Sequence, residues 1–134
     1  DQIGKQLLTI DSIMRSGKAI PQVMSNSNYQ DILTEIEKKK LGFTTVCNEN
    51  GTLIGVITDG DLRRAIIKWN RDVFSKKANE IMTSNPKTVN ANGLAVDALR
   101  AMEQYAIADL LVIDESAHPV GVVDLKDLLR AGII

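Results

Sequence analysis

Two stretches of this chain carry the same pattern of residues, and a chain that repeats itself folds as two similar units. Gly55-Val56-Ile57-Thr58-Asp59-Gly60-Asp61-Leu62-Arg63-Arg64-Ala65 aligns with Gly121-Val122-Val123-Asp124-Leu125-Lys126-Asp127-Leu128-Leu129-Arg130-Ala131, an offset of 66 (55 to 121). The same offset pairs Val23 with Val89, Leu33 with Leu99, Ile36 with Met102 and Val46 with Val112. Upstream, Ile13-Met14 pairs with Ile81-Met82 at an offset of 68 (13 to 81), so the first copy holds two extra residues after its Met. Duplicated units of this size commonly complete each other's core.

The chain's 134 residues suffice for one ordinary domain or two small units sharing a core. A 44% hydrophobic and 25% charged composition is that of a globular protein. A formal net charge of −1 gives no general attraction for nucleic acid or anionic lipid. No apolar run reaches the roughly 20 residues of a membrane span, and no signal peptide opens the chain. The single cysteine, Cys47, excludes a disulfide framework and reads as a small core residue in a reducing, cytoplasmic compartment.

Within each copy the signals run strand, helix, strand, strand, helix. In the first, Ala19 to Met24 reads as extended, and Ser27 with Gln30 forms a capping box for the next helix. Tyr29, Ile32, Leu33 and Ile36 keep helical spacing, Lys38, Lys39 and Lys40 suit the C-terminal end of the macrodipole, and Gly42 ends the helix. Phe43 to Cys47 and Leu53 to Ile57 read as paired strands around a turn at Asn50-Gly51. Leu62, Ala65, Ile66 and Trp69 form the buried stripe of the last helix. In the second copy Asn92 is the predicted cap, Ala95, Ala98, Leu99 and Met102 share a helix face, and Asp109 to Ile113 pairs with Val120 to Val123 around His118-Pro119. Asn70 to Asn79 is a polar linker anchored by Val73 and Phe74. Met14, Met24, Met82 and Met102 fall at apolar, core-like positions. Each copy alone exposes an apolar helix face, which predicts face-to-face packing of the two.

These residues resemble a tandem pair of cystathionine-beta-synthase (CBS) domains, a Bateman module, over residues 10 to 134. The resemblance rests on the duplicated βαββα order, the Ile-Met before each unit and Gly55-Val56-Ile57-Thr58-x-x-Asp61-Leu62. It implies an α/β fold of two βαββα units related by a pseudo-two-fold axis. The expected boundaries are 10–69 for the first unit, 70–77 for the linker and 78–134 for the second. Phe43-Thr44-Thr45-Val46-Cys47, Thr58 to Arg64 and Asp127 to Gly132 further resemble the C-terminal module of bacterial D-arabinose 5-phosphate isomerases, in which a sugar-isomerase (SIS) domain precedes the CBS pair. On that resemblance residues 1–9 are the remnant of the junction, the catalytic domain is missing and this chain is a non-catalytic regulatory module.

In CBS pairs the Asp of the Thr-x-x-Asp segment accepts hydrogen bonds from a nucleotide's ribose diol and the Thr hydroxyl contacts phosphate or sugar. A carboxylate suits two vicinal hydroxyls, and the adjoining helix N-terminus supplies N–H donors for phosphate. The resemblance therefore nominates Thr58 and Asp61, facing Lys87, Thr88, Ala106 and Ile107, and in a second cleft Asp127, facing Pro21, Gln22, Lys40 and Leu41. Lys87 and Arg64 are candidate phosphate partners. Thr58-x-x-Asp61 and Asp124-x-x-Asp127 also fit capping boxes, so capping alone stands beside ligand contact. Asp124 stands where the family pattern has Thr or Ser, and a carboxylate there repels phosphate, so the two clefts are not expected to bind alike. His118, the only histidine, has no companion ligands for a metal site, and no phosphate loop or nucleophile elbow is present.

Two functions follow from the resemblance. One is a sensor that binds a nucleotide or nucleotide sugar and controls an attached isomerase that feeds synthesis of Kdo for lipopolysaccharide or capsule. AMP, ATP and the activated end product CMP-Kdo are its candidate ligands. The other is a ligand-free module that organises subunits, since CBS pairs commonly form homodimers through their helices and the parent isomerase is expected to be a tetramer.

Overall fold

The computed structural model describes residues 2–134. In chain order the elements are α1 (Gln2–Gln6), β1 (Arg15–Ser16), β2 (Gln22–Met24), α2 (Tyr29–Lys39), β3 (Phe43–Cys47), β4 (Leu53–Thr58), α3 (Asp59–Trp69), α4 (Ala78–Ile81), β5 (Thr83–Ser84), β6 (Thr88–Asn90), α5 (Ala95–Tyr105), β7 (Asp109–Ile113), β8 (Pro119–Asp124) and α6 (Leu125–Arg130). The fold is α/β, with one four-stranded sheet ordered β2-β3-β4-β5 and another ordered β1-β8-β7-β6. Two compact units hold them: Lys18–Pro86, and the residues up to Gly17 together with Lys87–Ile134.

In the first unit β3 is central and all five of its residues are buried. Its two threonines need internal acceptors, and the Thr45 hydroxyl donates to the Pro21 carbonyl at 2.7 Å while that of Thr44 donates to the Thr45 carbonyl at 3.0 Å. β2 and β3 run parallel, which requires a crossover connection, and α2 supplies it. β4 returns antiparallel after a loop in which Asn48 Oδ1 accepts from the N–H groups of Asn50 and Thr52 and Gly51 takes φ +81°. Tyr29, Ile32 and Ile36 of α2 meet Val46, Ile57, Leu62 and Ala65 in one apolar cluster. Burying a side chain such as Ile32 stabilises the fold by about 1.5–3 kcal/mol.

Several local expectations change. The cap of α2 is Asn28, whose Oδ1 accepts from the Asp31 N–H at 2.9 Å; Ser27 instead accepts from Met24 N–H. The helix ends on a left-handed Lys40 (φ 61°), with Gly42 (φ 79°) two residues beyond. The extended stretch shortens to β2, because Gly17–Ala19 forms a 3-10 turn. Ile66 and Met24 are exposed. The expected linker is structured as a 3-10 segment, Asn70–Ser75, followed by α4. Val73 is buried there, while Phe74 is exposed and meets Tyr29 edge-on with ring centroids 5.7 Å apart.

The second unit repeats the plan. β7 lies between β6, parallel, and β8, antiparallel, over a core of Ile10, Ala95, Ala98, Met102, Leu110, Val112, Val123 and Leu128. Both long hairpins shift register at the same repeat position, after Val46 and after Val112. α5 has no side-chain cap: Leu94 is its N-cap, and Asn92 gives its N–H to Asn90 Oδ1.

The segment ahead of each copy joins the sheet of the other copy. β1 pairs with β8, placing Arg15 opposite Val122, and β5 pairs with β4, placing Thr83 opposite Val56. Glycine makes this close approach possible. A Cβ on Gly55 would lie 2.5 Å from Met82 Sδ and 2.8 Å from the Thr83 carbonyl oxygen, and one on Gly121 would collide with Met14 and lie 3.1 Å from the Arg15 carbonyl oxygen. The Ile-Met pair and the glycine of the repeat are thus two sides of one contact.

Candidate functional site

Strand direction brings the candidate residues of each unit to one end of its sheet. In the first unit, Pro21 precedes β2, Lys40 and Leu41 precede β3, and Phe43 at the start of β3 pairs with Thr58 at the end of β4. Pro21 is fully buried, and Lys40 is exposed, 3.9 Å from Glu37. Thr58 then caps α3 in a complete capping box. Its hydroxyl accepts from Asp61 N–H at 3.2 Å, and Asp61 Oδ2 accepts from the Thr58 N–H at 2.9 Å and hydroxyl at 3.1 Å.

Capping does not exhaust the Asp61 carboxylate. Oδ1 accepts from the Thr83 hydroxyl at 2.9 Å and from Arg64 Nη2 at 2.9 Å. Asp61 is only 7% exposed, whereas the Arg64 side chain is 70% exposed. Burial pushes the Asp61 carboxyl up, but hydrogen bonds from the Thr58 backbone, Arg64, Thr83 and the Thr58 hydroxyl outweigh it and hold the group below the ordinary aspartate value. Beside it, Arg64, Lys68, Trp69 and Glu80 line a groove of about 140 Å³. Lys68 and Lys76 lie over the Trp69 ring, at 4.7 and 5.1 Å from its centroid.

In the second unit, Lys87 precedes β6 and Thr88 starts it, while Ala106 and Ile107 precede β7. Lys87 Nζ rests 4.6 Å from the Tyr105 ring centroid. Ala106 is the left-handed C-cap of α5 (φ 53°), and with Met102, Ile107, Ala108 and Leu125 it lines a shallow apolar groove of about 340 Å³. Asp127 stands where Asp61 stands, and Asp124 replaces Thr58 in a second complete capping box.

Asp124 is not a bare carboxylate, because Arg15 is paired with it. Arg15 Nη2 lies 2.8 Å from Asp124 Oδ2, and its Nε lies 3.4 Å from Asp127 Oδ2 without hydrogen-bond alignment. Burial raises the Asp124 carboxyl, yet hydrogen bonds from Asp127 and the Arg15 charge bring it below its ordinary value. Asp109, paired with Asp124 across the hairpin, moves the other way, raised by burial and by the Asp124 charge. Arg15 and Thr83 were absent from the sequence-based site. Their signal was the position following each Ile-Met pair. Arg63 is exposed, Arg130 lies 3.6 Å from Asp127, and His118 N–H donates to Asp114. Among the described residues no group of three or more His, Cys, Asp or Glu side chains is placed to hold a metal ion, and no helix is long and apolar enough to cross a membrane.

Two repeats with this strand exchange, each carrying a carboxylate at the start of its last helix, define the class. The CBS domain family matches residues 10–68 and 78–133, and the chain belongs to that family as a tandem, non-catalytic regulatory pair. It is 41% identical over 128 residues to arabinose 5-phosphate isomerase KdsD of Pseudomonas aeruginosa, which covers 96% of this chain but only 39% of that relative's length. Among solved structures it is similar to CBSX2 in complex with AMP, with TM-score 0.78, 22% identity and coverage of 94% of this chain and 96% of that one. It is also similar to the CBS domain pair of MJ0100 in complex with 5′-methylthioadenosine and S-adenosyl-L-methionine, with TM-score 0.75, 23% identity and coverage of 92% and 94%.

Proposed function

We propose that the chain is the sensor module of a cytoplasmic arabinose 5-phosphate isomerase and that it binds a ribonucleotide at the Thr58–Asp61 end of the first unit's sheet. The observation that carries this reading is the donor set of Asp61. Three of its four hydrogen bonds come from Thr58 and Thr83, while the fourth comes from the solvent-exposed Arg64. A ribose hydroxyl takes the place of Arg64 at Oδ1, and the released guanidinium meets the phosphate. In the second unit Ala106 and Ile107 line an apolar groove wide enough for a planar base, with Lys87 and Thr88 at the same end of the sheet. Arg15 holds Asp124 and Asp127 there, however, so the weaker case lies with this unit. Pro21, Lys40 and Leu41 carry a weaker case, since Pro21 is buried.

The ligands of CBSX2 and MJ0100 all contain adenosine, which favours AMP or ATP. CMP-Kdo, the activated end product expected of the synthesis that such an isomerase would feed, presents the same ribose diol. The attached isomerase domain is the recipient of the signal. Thermal denaturation with AMP, ATP and CMP-Kdo tests the reading. A ligand at 100 times its Kd adds about 2.7 kcal/mol, and Asp61→Ala is expected to remove that gain. No shift with any of the three ends the sensor reading.

A second reading, a ligand-free association module, is favoured by the exposed Ile66 and Ile67 on α3 and Leu125 and Leu129 on α6. It predicts a stable homodimer by sedimentation whose size no nucleotide changes.

A further inference from the structure

We infer that the chain takes one ribonucleotide, at the Thr58–Asp61 end, and that Arg15 is a built-in counter-ion that closes the equivalent Asp124–Asp127 end. The inference rests on the sensor reading for its ligand and on strand register for its comparison. Arg15 opposite Val122 and Thr83 opposite Val56 occupy matching positions, so the trio Thr58, Asp61, Thr83 of the first unit is replaced by Asp124, Asp127, Arg15 in the second.

The chemistry of the two trios differs at each step a ligand must take. Thr58 is exposed and neutral, and its hydroxyl, which donates to Asp61 Oδ2 at 3.1 Å, can turn to donate to a phosphate oxygen instead; Asp124 has no proton to give and is bound to Arg15 at 2.8 Å. At the first end the donor to be displaced is Arg64, held by one hydrogen bond and 70% exposed. At the second it is Arg15, whose backbone is fixed in β1, whose side chain is 34% exposed and whose guanidinium lies against two carboxylates. Removing Arg15 from that position would leave Asp127, 4% exposed at its side chain, next to Asp124 with no fixed cation between them. Arg130 does not replace it, being 77% exposed and 3.6 Å away. A phosphate would also have to approach three carboxylates, Asp109, Asp124 and Asp127, where the first end carries Asp59 and Asp61.

Isothermal titration with AMP, ATP and CMP-Kdo counts the sites, and Arg15→Thr with Asp124→Thr recreates the first trio in the second unit. Wild type is expected to bind one equivalent, Asp61→Asn none, and the folded double variant two. Two equivalents on wild type, one that survives Asp61→Asn, or a folded double variant still limited to one would overturn the inference. A ligand-independent arm separates it from the sensor reading. Arg15→Thr alone should lower the melting temperature, and adding Asp124→Thr should recover part of the loss. If Arg15→Thr melts with wild type, the counter-ion role fails whatever binds. If the recovery is seen but none of the three ligands binds any variant, the sensor reading fails while the counter-ion role stands.

Discussion

Replacing Asp61 with Ala tests the site and the fold together. The substitution leaves the Thr58 hydroxyl on the residue-61 N–H but removes the other half of the capping box, stranding two donors, the Thr58 N–H and the Thr83 hydroxyl, that Asp61 now accepts. A stranded buried donor costs about 1–3 kcal/mol, but Thr58 and Thr83 are exposed enough for water to replace the carboxylate, so the lower end applies. Arg64, being largely exposed, adds little. The expected loss is about 2 kcal/mol in total. Trp69, the only tryptophan, sits on the same helix as Asp61, so urea denaturation followed by its fluorescence reads the affected unit directly. The pH dependence has a defined sign. The folded-state pKa of Asp61 is depressed, so its contribution is present above the unfolded value of about 3.9 and is lost as pH falls through the folded value. The gap between wild type and Asp61→Ala should therefore be full at pH 7 and narrow below about pH 4. A gap under about 0.5 kcal/mol at pH 7, or one that stays constant into acid, would refute this account of the carboxylate.

Gly55→Ala should destabilise the first unit by about 1–3 kcal/mol, because its Cβ meets the Thr83 carbonyl oxygen as well as the flexible Met82 side chain; an unchanged urea midpoint would show that β5 moves aside freely. Asp109→Asn should raise the melting temperature slightly at pH 7, since the raised pKa of Asp109 penalises the folded state as pH climbs through it, and the gain should vanish in acid. An equal gain at pH 3 would contradict that origin. Cys47 is fully buried, and burial raises its thiol pKa against a smaller opposing hydrogen bond from Thr45, so a thiol reagent should modify it only after unfolding; rapid reaction of the native protein would place it elsewhere.

What was legible in the sequence, and what was not, divides by the range of the interaction. The strands β3, β4, β7 and β8 and the apolar faces of α2 and α5 follow from periodicity, because burial of alternate or helically spaced residues is written in consecutive positions. The capping boxes at Thr58 and Asp124 are equally local, and both are present. Choosing between Ser27 and Asn28 is harder, since both carry a short polar side chain and only the backbone path decides which one meets a free N–H. Ile66 was misplaced for a related reason: helical spacing defines a stripe but not its width. The strand exchange is beyond local reading altogether. Arg15 reaches Asp124 across 109 residues and Thr83 reaches Asp61 across 22, so the two contacts look unrelated along the chain although they occupy matching register positions. The two-residue change of offset after Met14 conceals the match further, because a fixed offset of 66 aligns neither Arg15 nor Thr83 with the other. Asp124 consequently read as an uncompensated charge. With Arg15 in place it is half of an ion pair, and the departure from Thr at that position is explained by the arginine that the other copy's leading strand supplies.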